Sequence, residues 1–409
     1  MPIPSPTTLP SPSLEEHAHS LRLRRLIAQA IRDAGGALAF STFMDLALYA
    51  PGLGYYVAGS SKLGPSGDFV TAPELSPLFA RCLARQVAEV FARSGGSDFL
   101  ELGAGSGVLA VDLLEALDAL EALPERYLIL EPSPDLRARQ ETHVDALPDR
   151  LGRRVRWLER LPAEQIDGVV FANEVLDAMP VRRFRLRNGD VFELTVVCAE
   201  DHAFSWSERP ADDALVASVR DIEAALGRTF DDDYTSELNP ALGAWLRSIS
   251  GVLASGLLLL ADYGYPRHEY YHPQRFDGTL ICHYRHRAHD DPLRLVGLQD
   301  ISASVDFTAL ADAGMAAGFD LEGYTSQSWF LLGCGLDEIL ASSEGCDPKL
   351  RLRLTAAAKT LLLPGRMGER FKVVALGRGL DGDLRGFRVE NQRHRLRQPD
   401  FPANGPPGG

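Results

Sequence analysis

The chain has 409 residues, 45% of them hydrophobic and 24% charged, enough for a large globular core and room for two domains. Its 56 acidic residues outnumber the 42 basic ones, and the net charge of −14 argues against non-specific binding to nucleic acid or to an anionic membrane. The five cysteines (Cys82, Cys198, Cys282, Cys334, Cys346) are scattered without a C-x-x-C pair, so they read as reduced thiols of a cytoplasmic protein, with neither a disulfide frame nor a zinc site.

Met1–Ser13 is rich in proline and serine, lacks the apolar stretch of a secretion signal, and is expected to be a disordered tail. Leu14–Ala34 carries apolar residues at a helical period, and Gly35-Gly36 ends it. A second short helix runs from Thr42 to Leu48 and stops before Pro51. The segment from Gly52 to Glu74 is dense in glycine and aromatic residues and shows little regular periodicity. It reads either as a functional loop or as an arm packed over a sheet. A long helix follows, from about Ser76 to Ala92.

Asp98–Leu102 is strand-like, and Gly103, Gly105 and Gly107 follow at every second position, ahead of an amphipathic helix from Val108 to Leu120. A strand entering a helix through glycines presents backbone N–H groups at the carboxyl edge of a sheet, where open α/β folds bind small ligands. A dinucleotide fingerprint would need its third glycine at position 108, which is valine. Glu101-x-Gly-x-Gly-x-Gly107 instead resembles the S-adenosylmethionine (SAM) loops of Rossmann-like methyltransferases; a glycine turn without a ligand is the bland alternative. Tyr127–Leu130 is the second strand, and Glu131 at its end stands 28 residues past Gly103. An acid there can accept hydrogen bonds from ribose hydroxyls, or can simply start a turn.

Val155–Leu158 and Gly168–Ala172 are the third and fourth strands, and the fourth leads into Asn173-Glu-Val-Leu-Asp-Ala-Met-Pro180. Asn173, Glu174 and Asp177 thereby fall on the edge that carries the glycine turn, beside the reacting group; Asn173 also suits a helix cap. Asn188-Gly189 joins two alternating runs, Phe184–Leu186 and Val191–Val197, as a hairpin. That hairpin and a helix over Ala214–Leu226 mark an inserted subdomain. The longest apolar run, near Val252–Ala261, is broken by Ser255 and Gly256 and is too short to cross a bilayer, so no membrane insertion is expected. It reads as a buried strand over Gly256–Ala261, after a helix over Leu242–Leu253. Pro266–Ser304 is polar and turn-rich; its five histidines match no compact ligand spacing, so no metal is expected. Helices over Phe307–Ala317 and Leu350–Leu363 and strands over Leu321–Tyr324 and Phe371–Leu376 complete the pattern. Strands alternating with helices imply a parallel-dominated α/β sheet.

Taken in order, Gly54-Tyr-Tyr56, Gly67-Asp-Phe-Val-Thr-Ala-Pro-Glu74, Glu101–Gly107, Asn173–Pro180, Asp262-Tyr-Gly264, Asp300–Phe307 and Met367-Gly-Glu-Arg-Phe-Lys372 resemble the MidA family of SAM-dependent methyltransferases. The resemblance runs from about Leu14 to Leu376. It implies a Rossmann-like, seven-stranded class I methyltransferase core with an N-terminal helical arm and an inserted subdomain. The chain then divides into a tail (1–13), arm and substrate loop (14–75), first part of the core (76–180), insertion (181–239), second part of the core (240–378, with a polar insertion at 266–304) and a disordered tail (379–409).

The family also implies SAM as cofactor, and for its mitochondrial members arginine methylation on a subunit of NADH dehydrogenase (complex I), in aid of its assembly. Ala104 and Val175 depart softly from the family pattern. On this reading Glu101, Gly103, Gly105, Gly107 and Glu131 bind the cofactor. A guanidinium acceptor beside a sulfonium needs carboxylates, for which Glu174 is the first candidate, followed by Asp177, Asp68 and Glu74, with Asn173 alongside. The paired glutamates of other arginine methyltransferases are absent; only Glu174 with Asp177 follows the fourth strand. A SAM-binding assembly chaperone without turnover and a small-molecule methyltransferase are the rival readings, and a homodimer stays open. A nucleic-acid methyltransferase is disfavoured by the acidic balance and by the lack of an Asn/Asp-Pro-Pro-aromatic motif after the fourth strand.

Overall fold

Strand β1 (Asp98–Leu102) is buried along its whole length, as a strand covered on both faces must be. In the computed structural model, which describes residues 9–58, 71–199, 203–342 and 347–397, β1 lies inside a sheet of seven strands in continuous order, to which the two-residue strand Val305–Asp306 adds an eighth by pairing with the end of the Leu253–Tyr265 strand. Its partners are β2 (Arg126–Leu130), β3 (Val155–Leu158), β4 (Ile166–Asn173), β5 (Leu253–Tyr265), β6 (Asp320–Ser326) and β7 (Phe371–Arg378). The spatial order is β3-β2-β1-β4-β5-β7-β6. The pairs from β3 to β5 are parallel. Strand β7 enters antiparallel between β5 and β6. This is the expected mixed α/β core, with the last strand inserted beside β5 and the Asp320–Ser326 strand forming the edge.

Alternation along β1 sends Phe99 into one layer and Leu100 and Leu102 into the other. The first layer holds the helices Leu78–Ser94, Val108–Ala119 and Pro348–Leu362; the second holds Leu242–Val252 and Phe307–Ala316. Glu101 shares the Phe99 face and is 3% exposed, so its carboxyl is embedded in the sheet-helix layer.

The N-terminal helix, Leu14–Asp33, starts with a capping box between Ser13 and Glu16. After it, Leu38 and Ala39 pair antiparallel with Val196 and Thr195, stitching the arm onto the inserted sheet. The hairpin forms as expected from Asn188-Gly189, joining Arg182–Arg187 to Asp190–Cys198. Two strands not expected from the sequence extend that sheet, Phe204–Pro210 and Thr235–Leu238. The polar region contains a further three-stranded sheet of Ile281–Tyr284, Arg287–His289 and Asp300–Ser302, whose strands are too short to show a period. Leu23, Phe43, Val196, Trp206, Cys282 and Ile301 belong to one hydrophobic cluster, so arm and both insertions share a core.

The expected disordered tail after Arg378 is corrected for residues 379–397; residues 398–409, and residues 1–8 of the expected N-terminal tail, lie outside the described residues. Residues 379–397 fold back as two short 3-10 turns, Arg385–Phe387 and Arg393–Leu396. Phe387 is 3% exposed and sits edge-on to Phe330, and Leu396 is 2% exposed. A few large apolar residues inside a basic, glycine-rich stretch anchor it where average polarity suggested disorder. Among the described residues, no helix is long and apolar enough to cross a membrane.

Candidate functional site

The carboxyl ends of β1, β2 and β4 open into a cavity of about 510 Å³, within the usual range for small-molecule sites. Gly103, Gly105 and Gly107 all have positive φ, at 69°, 54° and 85°. A Cβ on Gly103 would come 3.1 Å from Val175 Cγ2, and one on Gly107 would lie 3.0 Å from Gln140 Cα. Backbone conformation thus disfavours a side chain at all three, and at Gly103 and Gly107 the added carbon would also press on Val175 and Gln140.

Glu131, 5% exposed, accepts hydrogen bonds from Ser133 N at 2.9 Å and from Gln140 Nε2 at 3.0 Å. The same Gln140 amide donates to Gly105 O at 2.9 Å, and Gln140 Oε1 accepts from Trp157 Nε1 at 3.0 Å. Gln140 thus locks the acid to the glycine loop. Burial raises the Glu131 carboxyl above its usual range, opposed by the bonds from Ser133 and Gln140. Glu101 accepts from Tyr127 Oη at 2.7 Å, and burial pushes its carboxyl up to about 7 against that bond. Glu74 also lines the cavity, accepting from Ser106 Oγ in the glycine loop.

Across the cavity lies Glu174, whose φ of 53° is unusual for a residue with a side chain and whose N–H donates to Ala261 O of β5 at 2.9 Å. Glu174 Oε1 accepts from Asn173 Nδ2 at 3.0 Å. Burial, and then the Asp177 charge, push its carboxyl up to about 8, against the bonds from Asn173 and the Ala72 N–H. Asp177 is 6% exposed; burial and the nearby Asp262 and Asp300 carboxylates hold it well above the ordinary carboxylate range. Asp262 accepts from the N–H groups of Leu176, at 2.9 Å, and Tyr263, at 2.8 Å, and is raised by burial and then by Glu174. Asp300 accepts from Tyr56 Oη at 2.8 Å and from Ser302 Oγ at 2.5 Å. Among the described residues, Asn173 Oδ1 and Asp177 Oδ1 are buried without a hydrogen-bond partner.

The chain therefore brings Asn173, Glu174 and Asp177 together, as their spacing suggested. Glu74 is placed by its bond to Ser106 on the cofactor side of the cavity. Asp68 lies outside the described residues. Asp262, Asp300, Tyr49, Tyr56 and Gln140 were not nominated from the sequence. Three of them, Tyr56, Asp262 and Asp300, stand in motifs that carried the family resemblance, Gly54-Tyr-Tyr56, Asp262-Tyr-Gly264 and Asp300–Phe307, which was the available signal. Gln140 lies in the polar helix Pro134–Val144, and Tyr49 at the end of the second helix of the arm, with no motif around either to mark it.

The site fits SAM on its own terms. Gly103 and Gly105 line the cavity with bare backbone, and Glu131 keeps lone pairs beyond its two internal bonds for vicinal hydroxyls. Comparison with known proteins agrees. A family model described as "Putative S-adenosyl-L-methionine-dependent methyltransferase" matches residues 82–325. A crystal structure of a COG1565 superfamily member from Burkholderia thailandensis bound to S-adenosyl-homocysteine superposes with a TM-score of 0.89 at 44% identity, covering 95% of this chain and 100% of that one. The chain is also 29% identical over 386 residues to the zebrafish mitochondrial protein arginine methyltransferase NDUFAF7, covering 86% of this chain and 85% of the relative. The human NDUFAF7 is 28% identical over 375 residues, covering 83% and 80%. With the family match spanning more than half its length, the chain belongs to this family of SAM-dependent methyltransferases.

Proposed function

We propose that the enzyme methylates an arginine side chain of a protein substrate, with a subunit of NADH dehydrogenase as the first candidate acceptor. The observation that supports this is Glu174 on the cavity wall, with the buried carboxyl groups of Asp177, Asp262 and Asp300 close beside it. Like charges held in a low-dielectric site favour a cationic occupant, and a guanidinium offers several N–H donors to fill their open lone pairs. The NDUFAF7 relatives are named for that acceptor chemistry.

When bound, SAM supplies a methyl group on a sulfonium. The protein's part is positioning and charge. Glu131 holds the ribose hydroxyls, and the glycine loop lets backbone approach the ligand. The carboxylates orient the acceptor nitrogen, and Glu174 takes the proton that the guanidinium nitrogen loses as its N–C bond forms. Glu174 is the member of the group that lines the cavity, and its raised affinity for a proton suits it to accept one near neutral pH.

The test is transfer of labelled methyl from SAM to purified NADH dehydrogenase subunits, with peptide mapping of the product. Methylarginine on a polypeptide is expected. Label appearing only in the small-molecule fraction would overturn the reading. Subunit capture without any labelled product would favour the chaperone reading instead.

A further inference from the structure

Tyr49 ends the second helix of the arm (Phe40–Tyr49) and reaches the cavity from outside the sheet. Its hydroxyl donates to Ala178 O at 3.0 Å, while 36% of the residue stays accessible. Its polar tip is therefore anchored and its ring is presented. Tyr56 stacks on it, with ring centroids 5.6 Å apart and planes at 18°, and Tyr56 is fixed in turn by its bond to Asp300 at 2.8 Å. Asp177 and Asp300 lie close enough to Tyr49 that their charges, after burial, hold its phenol in the neutral form. A flat, electron-rich face is thus backed by Tyr56 and set beside the carboxyl groups of Asp177 and Asp300.

We propose that Tyr49 is a specificity-determining residue: the acceptor guanidinium stacks on its ring while Glu174 accepts its N–H groups. This rests on the arginine reading above. A planar, weakly hydrated guanidinium gains from an aromatic face, whereas a compact ammonium keeps its hydration and gains less. The arm would then supply the choice of arginine over lysine, and the sheet would supply the cofactor site.

The experiment uses the full chain, labelled SAM and heat-treated total cell protein as acceptor, with products resolved as methylarginine and methyllysine. Tyr49→Leu is expected to raise the apparent KM for acceptor protein by about 5- to 30-fold, the range of a partly desolvated cation–π contact. SAM affinity, measured by calorimetry, is expected to stay near its wild-type value. Tyr49→Phe keeps the ring and should recover most of the loss. Agmatine should inhibit the wild type more than 1,5-diaminopentane does, and Tyr49→Leu should erase that difference. If Tyr49→Leu melts early, Tyr49→Met replaces it in the same comparison. An unchanged acceptor KM, or a loss of SAM affinity equal to the loss for acceptor, would overturn the role of Tyr49. A wild-type product on a residue other than arginine would instead sink the arginine reading itself.

Discussion

The Gln140 side-chain amide donates to Glu131 Oε2 at 3.0 Å and to Gly105 O at 2.9 Å, so one residue joins the ends of β1 and β2 at the cofactor cavity. Gln140→Leu would strip Glu131, Gly105 and Trp157 of a buried partner. Unmet buried polar groups of this kind cost about 1–3 kcal/mol each. The expected outcome is a lower melting temperature together with SAM binding weakened about tenfold, read by calorimetry. A stability loss with no change in SAM affinity would show that the link serves folding only.

Gly103→Val tests the cradle. Position 103 has a φ of 69°, and the first added carbon would meet Val175 Cγ2 at 3.1 Å. Left-handed backbone costs a β-branched residue about 1–2 kcal/mol or more, so the variant should fold with reduced stability. SAM binding should become undetectable by calorimetry while the circular dichroism spectrum stays that of an α/β protein.

Glu174→Gln should retain SAM and lose at least about a hundredfold in methyl transfer, the lower end of what a positioned proton acceptor contributes. The pH dependence follows from the same residue. Its carboxyl is raised to about 8 from 4.5, so the folded protein binds more protons than the unfolded chain between those values. The stability this contributes is complete below about pH 4.5, falls as pH rises, and is lost through about pH 8. Melting curves of the ligand-free enzyme from pH 5 to 9 should show that decline, and Glu174→Gln should make it shallower, leaving the part contributed by the raised carboxyls of Glu101, Asp177 and Asp262. For activity the sign reverses: kcat/KM for acceptor should climb toward pH 8 as Glu174 ionises, and the glutamine variant should lack that limb.

Phe387→Ala tests the returning C-terminal segment. Phe387 is 3% exposed, its ring stands 5.6 Å from that of Phe330, and a side chain on Gly323 would collide with it. Removing a buried phenyl ring of this kind costs about 3–5 kcal/mol. Thermal denaturation should show the loss; a wild-type melting temperature would mean that the segment lies on the core without supporting it.

The parts of the chain that obey a local rule could be read from it. The glycine turn after β1, the Asn188-Gly189 hairpin and the apolar run of β5 each carry their own signal within a few residues, and each stands where expected. The candidate site was legible to the same extent: Asn173, Glu174 and Asp177 share one turn, so their convergence followed from placing β4. Asp262 and Asp300 could not be placed that way. They come from the end of β5 and from the polar insertion, and only the assembled sheet sets them beside Asp177. Tyr49 and Tyr56 meet Asp300 across 244 residues of sequence in the Tyr56 bond, a distance no periodicity spans. The strands at Ile281–Tyr284 and Asp300–Ser302 were hidden by their shortness, and Phe387 by the polar company it keeps.

Strand β7 also imposes an order of events on the making of the protein. It fills the gap between β5 and β6, yet it spans Phe371–Arg378, after every other strand of the sheet in sequence. Until those residues leave the ribosome, β5 presents an unpaired apolar edge, and the arm has already emerged with its Leu38–Ala39 strand waiting for Thr195–Val196. The sheet whose carboxyl edge forms the cavity is therefore closed by the strand that follows all its others in sequence, so a chain cut before Phe371 would leave β5 and β6 without the partner that joins them.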